Sequence, residues 1–187
     1  MNHENSLLLV GYRVVPAWTV PASMRDPLLP SQVATLSDHL VDPVPDDDAW
    51  FASADAAVAA AAPAATSSTR VMAMGVQEQN ANVVITRQLA LDTDQLCLNE
   101  QLRTPWPAGL QVLGYEVIGI ESCGFHSWLC YADVTSWAHR RLGIRLNAHG
   151  LVGNLADAQR LGEAAEDSSS GLPPIPWVAA AIAIADE

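Results

Sequence analysis

The sequence predicts a single α+β (or α/β) domain with a mixed β-sheet and helices packed mainly on one face. Three observations indicate this fold class. Short β-branched apolar runs are interleaved with, and then followed by, stretches of helical spacing. The length of 187 residues fits one domain of ordinary size. No repeat, heptad array or glycine-rich phosphate loop indicates another architecture.

The first part of the chain predicts one strand followed by irregular structure. Residues 7–15 are apolar and β-branched, which favours a strand. Prolines then recur through residues 16–30 and cannot continue a central strand, so a Pro-rich arm is expected there. We expect a short helix near residues 31–40 and an exposed acidic loop at residues 42–50. The arm and the acidic loop are parts of the one domain, residues 1–187.

The middle of the chain predicts a helix and then a pair of strands. Ser53 is a suitable N-cap for a helix over residues 54–62, which Pro63 ends. Residues 70–76 and 82–91 are both β-rich, and the turn between them is polar. These two segments therefore predict a β-hairpin.

The last part of the chain carries the strongest patterns. Residues 110–121 contain a β-rich run between glycines, which predicts a strand in the middle of the sheet. Residues 127–142 have apolar side chains at helical spacing and predict the principal helix. Asn154 is a suitable cap for a helix over residues 155–166. Residues 177–184 predict a terminal strand.

The charge of the chain limits its partners. Nine basic and 21 acidic residues give a formal charge of −12. We expect no nucleic-acid partner, because phosphates would be repelled over most of the surface. A basic protein would be attracted, although solubility alone also accounts for such a charge. We expect no membrane partner either, since no segment reaches the roughly 20 apolar residues of a membrane span.

Cysteine usage and the first residues indicate the compartment. The residues before position 7 include no Lys or Arg, so the apolar run that follows predicts a strand and not the core of a signal peptide. Cys97, Cys123 and Cys130 are an odd number, which is untypical of a secreted disulfide framework. We therefore expect a cytoplasmic protein with free thiols and no cofactor.

The densest set of reactive side chains lies in residues 121–130, at the predicted junction of a strand and the principal helix, where α/β proteins often place a site. One interpretation is a cysteine-dependent enzyme with Cys123 as the thiolate nucleophile. His126 or His149 would be its base, and Glu121 would orient that base. The other interpretation is structural: Cys123 fills a tight turn and His126 caps the helix. Triads assemble through the fold, so spacing does not separate the two, and we favour the structural one.

Two groups of potential metal ligands occur. Cys123, His126 and Cys130 are three soft ligands, but a structural zinc needs a fourth and a paired spacing. The three consecutive aspartates at residues 46–48 are not followed by EF-hand spacing, so a solvated loop is expected there. We predict no bound metal.

The acidic loop, residues 42–50, is the candidate partner-binding surface. Asp46, Asp47 and Asp48 are consecutive, and Trp50 follows them closely. Residues 26–69 contain no Arg or Lys. Carboxylates beside an aromatic anchor are suited to binding a basic protein.

Several short segments in the later part of the chain carry a resemblance to a known family. These are GYEVIG at residues 114–119, FHSWLC at 125–130, LGI at 142–144, and the pairs Leu146-Asn147 and Gly150-Leu151. They resemble small bacterial immunity proteins of polymorphic-toxin loci. The resemblance implies a binding protein that occludes a cognate toxin and catalyses no reaction. The acidic charge would suit a basic toxin such as a nuclease.

Overall fold

The computed structural model describes residues 6–16, 51–61, 69–89, 102–121, 124–131, 133–167 and 170–185. Within them one sheet contains the strands β1 (Leu7–Pro16), β2 (Thr69–Gln77), β3 (Gly114–Glu121), β4 (Gly124–Ser127) and β5 (Trp177–Ile184). The α-helices of this part are α1 (Ala54–Ala61), α2 (Glu78–Leu89), α3 (Val134–Leu142) and α4 (Leu155–Ala165). The α+β class expected from the sequence is confirmed.

The strand order across the sheet is β1-β2-β5-β3-β4. The last strand in the chain, β5, inserts between β2 and β3 and runs antiparallel to both. The pairings of β1 with β2 and of β3 with β4 are antiparallel too, whereas a mixed sheet was expected. The continuous apolar sequence of β5 is buried almost throughout, as a central strand covered on both faces requires.

One face of the sheet packs against α2. Met72 and Met74 of β2 and Ile182 of β5 point to this face. Ala81 and Val84 of α2 lie against them. These two helix residues are three positions apart and therefore project from the same side of the helix.

The opposite face is covered by α1, α3 and α4. Ala57 of α1 packs with Ala73 of β2. Ala138 of α3 and Leu161 of α4 pack in one cluster with Ala179 of β5. Three of the helices in the described part of the chain thus lie on one face, in agreement with the expected packing.

The outer edge of β1 is paired with irregular chain. Tyr12 and Phe51 exchange two backbone hydrogen bonds of 2.9 and 2.8 Å. Further along, the amide of Leu9 donates to the carbonyl of Thr104 at 2.8 Å. Such pairing satisfies backbone groups that an open edge strand would leave free for intermolecular association.

The prediction of a strand over residues 82–91 was wrong, and with it the predicted hairpin, because residues 82–89 belong to α2. Ala81 and Val84 are buried, whereas Asn82 is exposed, so burial follows the helical period. The β-branched run around Val84 favours a strand locally, but packing of one helix face against the sheet outweighs that preference.

The principal helix begins later than expected, at Val134 and not at residue 127. Ser127 ends β4, and Trp128–Cys130 forms a 3-10 turn. Asp133, immediately before α3, has a φ of 59°, a left-handed conformation that no helix continues. The 3-10 turn and α3 are therefore two separate elements and not one continuous helix.

Most of the other predicted strands and helices are present in the structure. The strands expected at residues 7–15, 70–76, 110–121 and 177–184 and the helices expected at 54–62 and 155–166 are confirmed, with small differences at their ends. Asn154 caps α4 as predicted, since its Oδ1 accepts a hydrogen bond from the amide of Asp157 at 2.9 Å. The Pro-rich arm after Pro16, the helix near residues 31–40, the acidic loop and Cys97 lie outside the described residues.

Candidate functional site

The predicted strand–helix junction lies where two strands, β3 and β4, pair with each other. Glu121 of β3 is paired with Gly124 of β4, and Gly119 is paired with His126. The expected strand–helix junction was therefore wrong: the segment folds back as a hairpin whose second strand lies at the end of the sheet. Cys123 itself lies outside the described residues, so its proposed role as a nucleophile stays a prediction.

The candidate base His149 is placed away from this hairpin. Its backbone amide donates to Oδ1 of Asn147 at 2.9 Å, and Nδ2 of Asn147 donates to the carbonyl of Leu113 at 2.8 Å. His149 therefore belongs to the first end of β3, whereas Glu121 is the last residue of that strand. The seven steps along this eight-residue strand separate its two ends by about 23 Å. The structure does not bring His149 and Glu121 together.

A buried acid that the sequence analysis did not identify lies in the middle of β3. Glu116 is 1% exposed and Ser127 of β4 is 0% exposed. The Ser127 hydroxyl donates to Oε1 of Glu116 at 2.8 Å, and the amide of Val117 donates to the same oxygen at 3.2 Å. Ser127 Oγ in turn accepts from the amide of Leu129 at 3.1 Å. This chain of hydrogen bonds joins β3, β4 and the 3-10 turn.

The electrostatics of Glu116 follow from its surroundings. Burial raises its pKa from the ordinary value to about 8, and the hydrogen bonds from Ser127 and Val117 act in the opposite direction. The carboxyl group is therefore mainly protonated at neutral pH. Strongly shifted acids are typical of functional sites. At 1% exposure, however, Glu116 is closed to a substrate, and its contacts are those of a group that ties strands together.

One sequence signal pointed to Glu116. It is the only charged residue among its neighbours in the segment GYEVIGI, which the sequence placed in an inner strand. A carboxylate in such a position is expected to be either paired or protonated. Its partner could not be read from the sequence, because Ser127 is eleven residues away on another strand.

The candidate partner residues Asp46, Asp47, Asp48 and Trp50 lie outside the described residues. The next residue, Phe51, is described. Phe51 follows Trp50 and is held on the β1 edge by its two backbone hydrogen bonds to Tyr12, at 2.9 and 2.8 Å. The described chain thus resumes at Phe51 on that edge of the sheet.

Helix α1 begins just after this attachment. Ser53 Oγ accepts a hydrogen bond from the amide of Ala56 at 3.2 Å, as the sequence analysis expected of an N-cap. Asp55 is exposed in the first turn, and Val58 is 51% exposed. Helix α1, which follows the acidic loop in the chain, therefore presents a carboxylate and an apolar side chain to solvent.

Two further findings bear on the site. Within the part of the chain that the structure describes, no three His, Cys, Asp or Glu side chains are grouped so as to hold a metal ion. None of the helices there has the length and apolar character needed to cross a bilayer.

No family model, curated protein or solved structure matches the chain.

Proposed function

We propose that the chain is a cytoplasmic binding protein of the immunity type, which neutralises a cognate basic bacterial toxin by occluding it. The observation that carries the proposal is the distribution of charge. The chain has a formal charge of −12, and residues 26–69 hold seven aspartates with no Arg or Lys. A basic protein surface is the complement of such a segment.

The attachment of Phe51 supports this use of the acidic loop. Phe51, the residue that follows Trp50 in the chain, is held on β1 before a partner arrives. Fixing a binding segment in advance reduces the conformational entropy that association costs. Asp55 and Val58 on α1 extend the proposed surface with a further carboxylate and an apolar contact.

The charges and the aromatic side chain have different tasks in this mechanism. Carboxylates at the rim of an interface accelerate the encounter with an oppositely charged partner. A buried aromatic anchor such as Trp50 mainly governs how long the complex lasts. Inhibition then results from occlusion of the toxin and involves no bond-making step in this chain.

The residues that resemble immunity proteins have a structural role in the fold. A side chain at Gly114 would place its Cβ 2.6 Å from Cβ of Leu151 and 2.8 Å from Nδ2 of Asn147. These residues pack the loop after α3 against β3. In the proposed function, partner choice therefore falls to exposed residues elsewhere.

The test begins with the partner captured on tagged protein from the native host, followed by stopped-flow measurement of binding. Changing Asp46, Asp47 and Asp48 together to Asn should lower the association rate about tenfold at low salt and flatten its salt dependence. The dissociation rate should change little. Trp50→Ala should instead raise the dissociation rate.

A matched control removes three carboxylates elsewhere. Asp133→Asn, Glu163→Gln and Glu166→Gln change the net charge by the same amount. Asp133 immediately precedes α3, Glu163 lies on α4 and Glu166 immediately follows α4. This variant should associate at nearly the wild-type rate. Equal slowing in both variants would show that total charge, and not the acidic loop, governs binding.

The enzyme interpretation gives the opposite outcome for Cys123→Ala. In a cysteine-dependent enzyme this change abolishes turnover. In the proposed binding protein it leaves partner capture and neutralisation intact. Failure to recover any protein partner, together with a turnover that Cys123→Ala removes, would refute the proposal.

A further inference from the structure

Four of the nine arginines surround the last turn of α3, and we call Arg140, Arg141, Arg145 and Arg160 the arginine surface. Nη2 of Arg160, on α4, donates to the carbonyl of Leu142 at 3.2 Å. Nη2 of Arg145 lies 3.5 Å from Nε2 of His139 on α3. Arg140, Arg141 and Arg145 are exposed, and the side chain of Arg160 is 53% exposed. The structure therefore brings the four guanidinium-bearing residues to one place.

These charges exceed what the helix end needs. The amide of Gly143 already donates to the carbonyl of His139 at 3.0 Å, and Arg160 supplies a donor to Leu142. Arg160 also has a carboxylate partner, Asp157 at 2.7 Å. Among the described residues no carboxylate forms an ion pair with Arg140, Arg141 or Arg145. Three exposed cations thus remain in a chain of charge −12.

Phe51, which follows the acidic loop in the chain, and the arginine surface lie at different ends of the sheet. Helix α1, next to the end of the acidic loop, packs on β1 and β2. Helix α4, which carries Arg160, packs on β5 and β3, and α3 packs on α4. Because the strand order is β1-β2-β5-β3-β4, the arginine surface belongs to the other side of the fold from Phe51.

We propose that the arginine surface binds the acidic loop of a second copy of this chain. The loop carries Asp42, Asp46, Asp47 and Asp48 and is the densest group of carboxylates in the sequence. Guanidinium groups form bidentate hydrogen bonds with carboxylates, which ammonium groups cannot do. A long polyanion such as nucleic acid fits less well, because most of the surface would repel it.

Net repulsion between two acidic copies does not prevent this contact at moderate salt. The Debye length is about 10 Å at 0.1 M salt, so charges on distant parts of the two copies are largely screened. Guanidinium and carboxylate groups in direct contact are screened much less. At about 1 M salt the Debye length falls to roughly 3 Å, and the contact should weaken too.

Sedimentation velocity of the full chain at 0.1 M and 1 M salt tests the proposal, with no toxin present. We expect concentration-dependent association at 0.1 M that reverses at 1 M. Dimers and longer head-to-tail oligomers should form, because the arginine surface and Phe51 lie on different sides of each copy. Arg140→Gln with Arg141→Gln should raise the dissociation constant of this contact about tenfold. The charge-matched pair Arg70→Gln with Arg103→Gln, both outside the arginine surface, should not.

A mixing experiment identifies the two contacting surfaces. A variant with Arg140, Arg141 and Arg145 changed to Gln keeps the acidic loop, and one with residues 46–48 changed to Asn keeps the arginine surface. Each alone should associate weakly, whereas their mixture should form a one-to-one complex. Only this combination restores both charge signs.

Two results would overturn the proposal: a wild-type chain that stays monomeric at 0.1 M salt up to millimolar concentration, or association that the arginine changes leave unaltered. Melting temperatures near that of the wild type would show that the variants are folded. The proposal does not depend on the toxin-binding function, since self-association is measured without a partner. Loss of toxin binding with self-association intact would refute the proposed function alone.

Discussion

The hydroxyl of Ser127 on β4 donates a 2.8 Å hydrogen bond to the carboxyl group of Glu116 on β3, and both side chains are fully buried. Through the amide of Leu129, which donates to the same hydroxyl at 3.1 Å, the contact also holds the 3-10 turn after β4. The pair therefore connects an inner strand, the end of the sheet and the approach to α3. The stability of the folded protein therefore depends on the protonation state of Glu116.

The first prediction concerns the pH dependence of stability. The pKa of Glu116 is raised from 4.5 to about 8 in the folded protein, whereas the unfolded chain has the ordinary value. Between these pH values the folded state retains a proton that the unfolded state has released. The free energy of unfolding should therefore fall as pH rises from about 4.5 to about 8, by on the order of 1 kcal/mol per pH unit, and level off above that range.

Glu116→Gln should remove this contribution. The amide keeps an oxygen that can accept from Ser127, and it has no charge to desolvate. Urea denaturation at pH 5 and pH 8 should show the variant gaining stability relative to wild type as pH rises. Glu163→Gln, at an exposed position on α4, is the control and should not change the pH dependence. Parallel pH profiles for wild type and Glu116→Gln would contradict the prediction.

The sequence predicted elements best where one pattern agreed with both local propensity and packing. Residues 177–184 are apolar and bounded by proline and acidic residues, and β5 has those limits. Asn154 precedes a helical pattern, and it caps α4. In both cases the information lies within a few neighbouring residues.

Predictions failed where distant contacts decided the structure. Val83, Val84 and Ile85 favour a strand by propensity, yet burial of Val84 in the core cluster between α2 and the sheet makes the segment helical. Ser127 was placed at a helix start, but its hydrogen bond to Glu116 holds it in β4. Pairing between β3 and β4 brings these residues together. Spacing along the sequence does not predict this pairing.

The second prediction concerns Asn147, which fastens the loop after α3 to β3. Its Nδ2 donates to the carbonyl of Leu113 at 2.8 Å. Its Oδ1 accepts from the amides of His149 and Leu151 at 2.9 and 3.1 Å. Asn147→Ala removes all three bonds and should lower the free energy of unfolding by about 2–3 kcal/mol. Asn82→Ala, at an exposed position on α2, should change it by less than about 0.5 kcal/mol.

Equilibrium unfolding in urea would measure both asparagine variants. If Asn147→Ala and Asn82→Ala lowered the free energy of unfolding equally, the three hydrogen bonds of Asn147 would contribute little beyond those that its side chain makes with water in the unfolded chain. Asn147→Asp is informative as well, since it keeps the oxygen acceptor and removes the donor to Leu113. It should fall between Asn147→Ala and wild type at neutral pH.

The third prediction concerns Gly162, in the middle of α4. In an exposed helix, replacing Gly by Ala stabilises by about 1 kcal/mol. Here a Cβ would lie 2.9 Å from the backbone oxygen of Trp177, so α4 would have to move away from β5. Because Leu161 and Ala165 beside it are buried in the same cluster, that movement would open the packing of this face. Gly162→Ala should therefore lower the free energy of unfolding by about 1–3 kcal/mol.

Gly153→Ala is the matched control, because nothing lies within 4 Å of the position its Cβ would take. It should leave stability nearly unchanged or raise it slightly through the unfolded state. Thermal melting monitored by circular dichroism would compare the two variants. If Gly162→Ala melted above wild type, helix propensity would outweigh the contact with Trp177, and α4 would have more room over β5 than the 2.9 Å approach indicates.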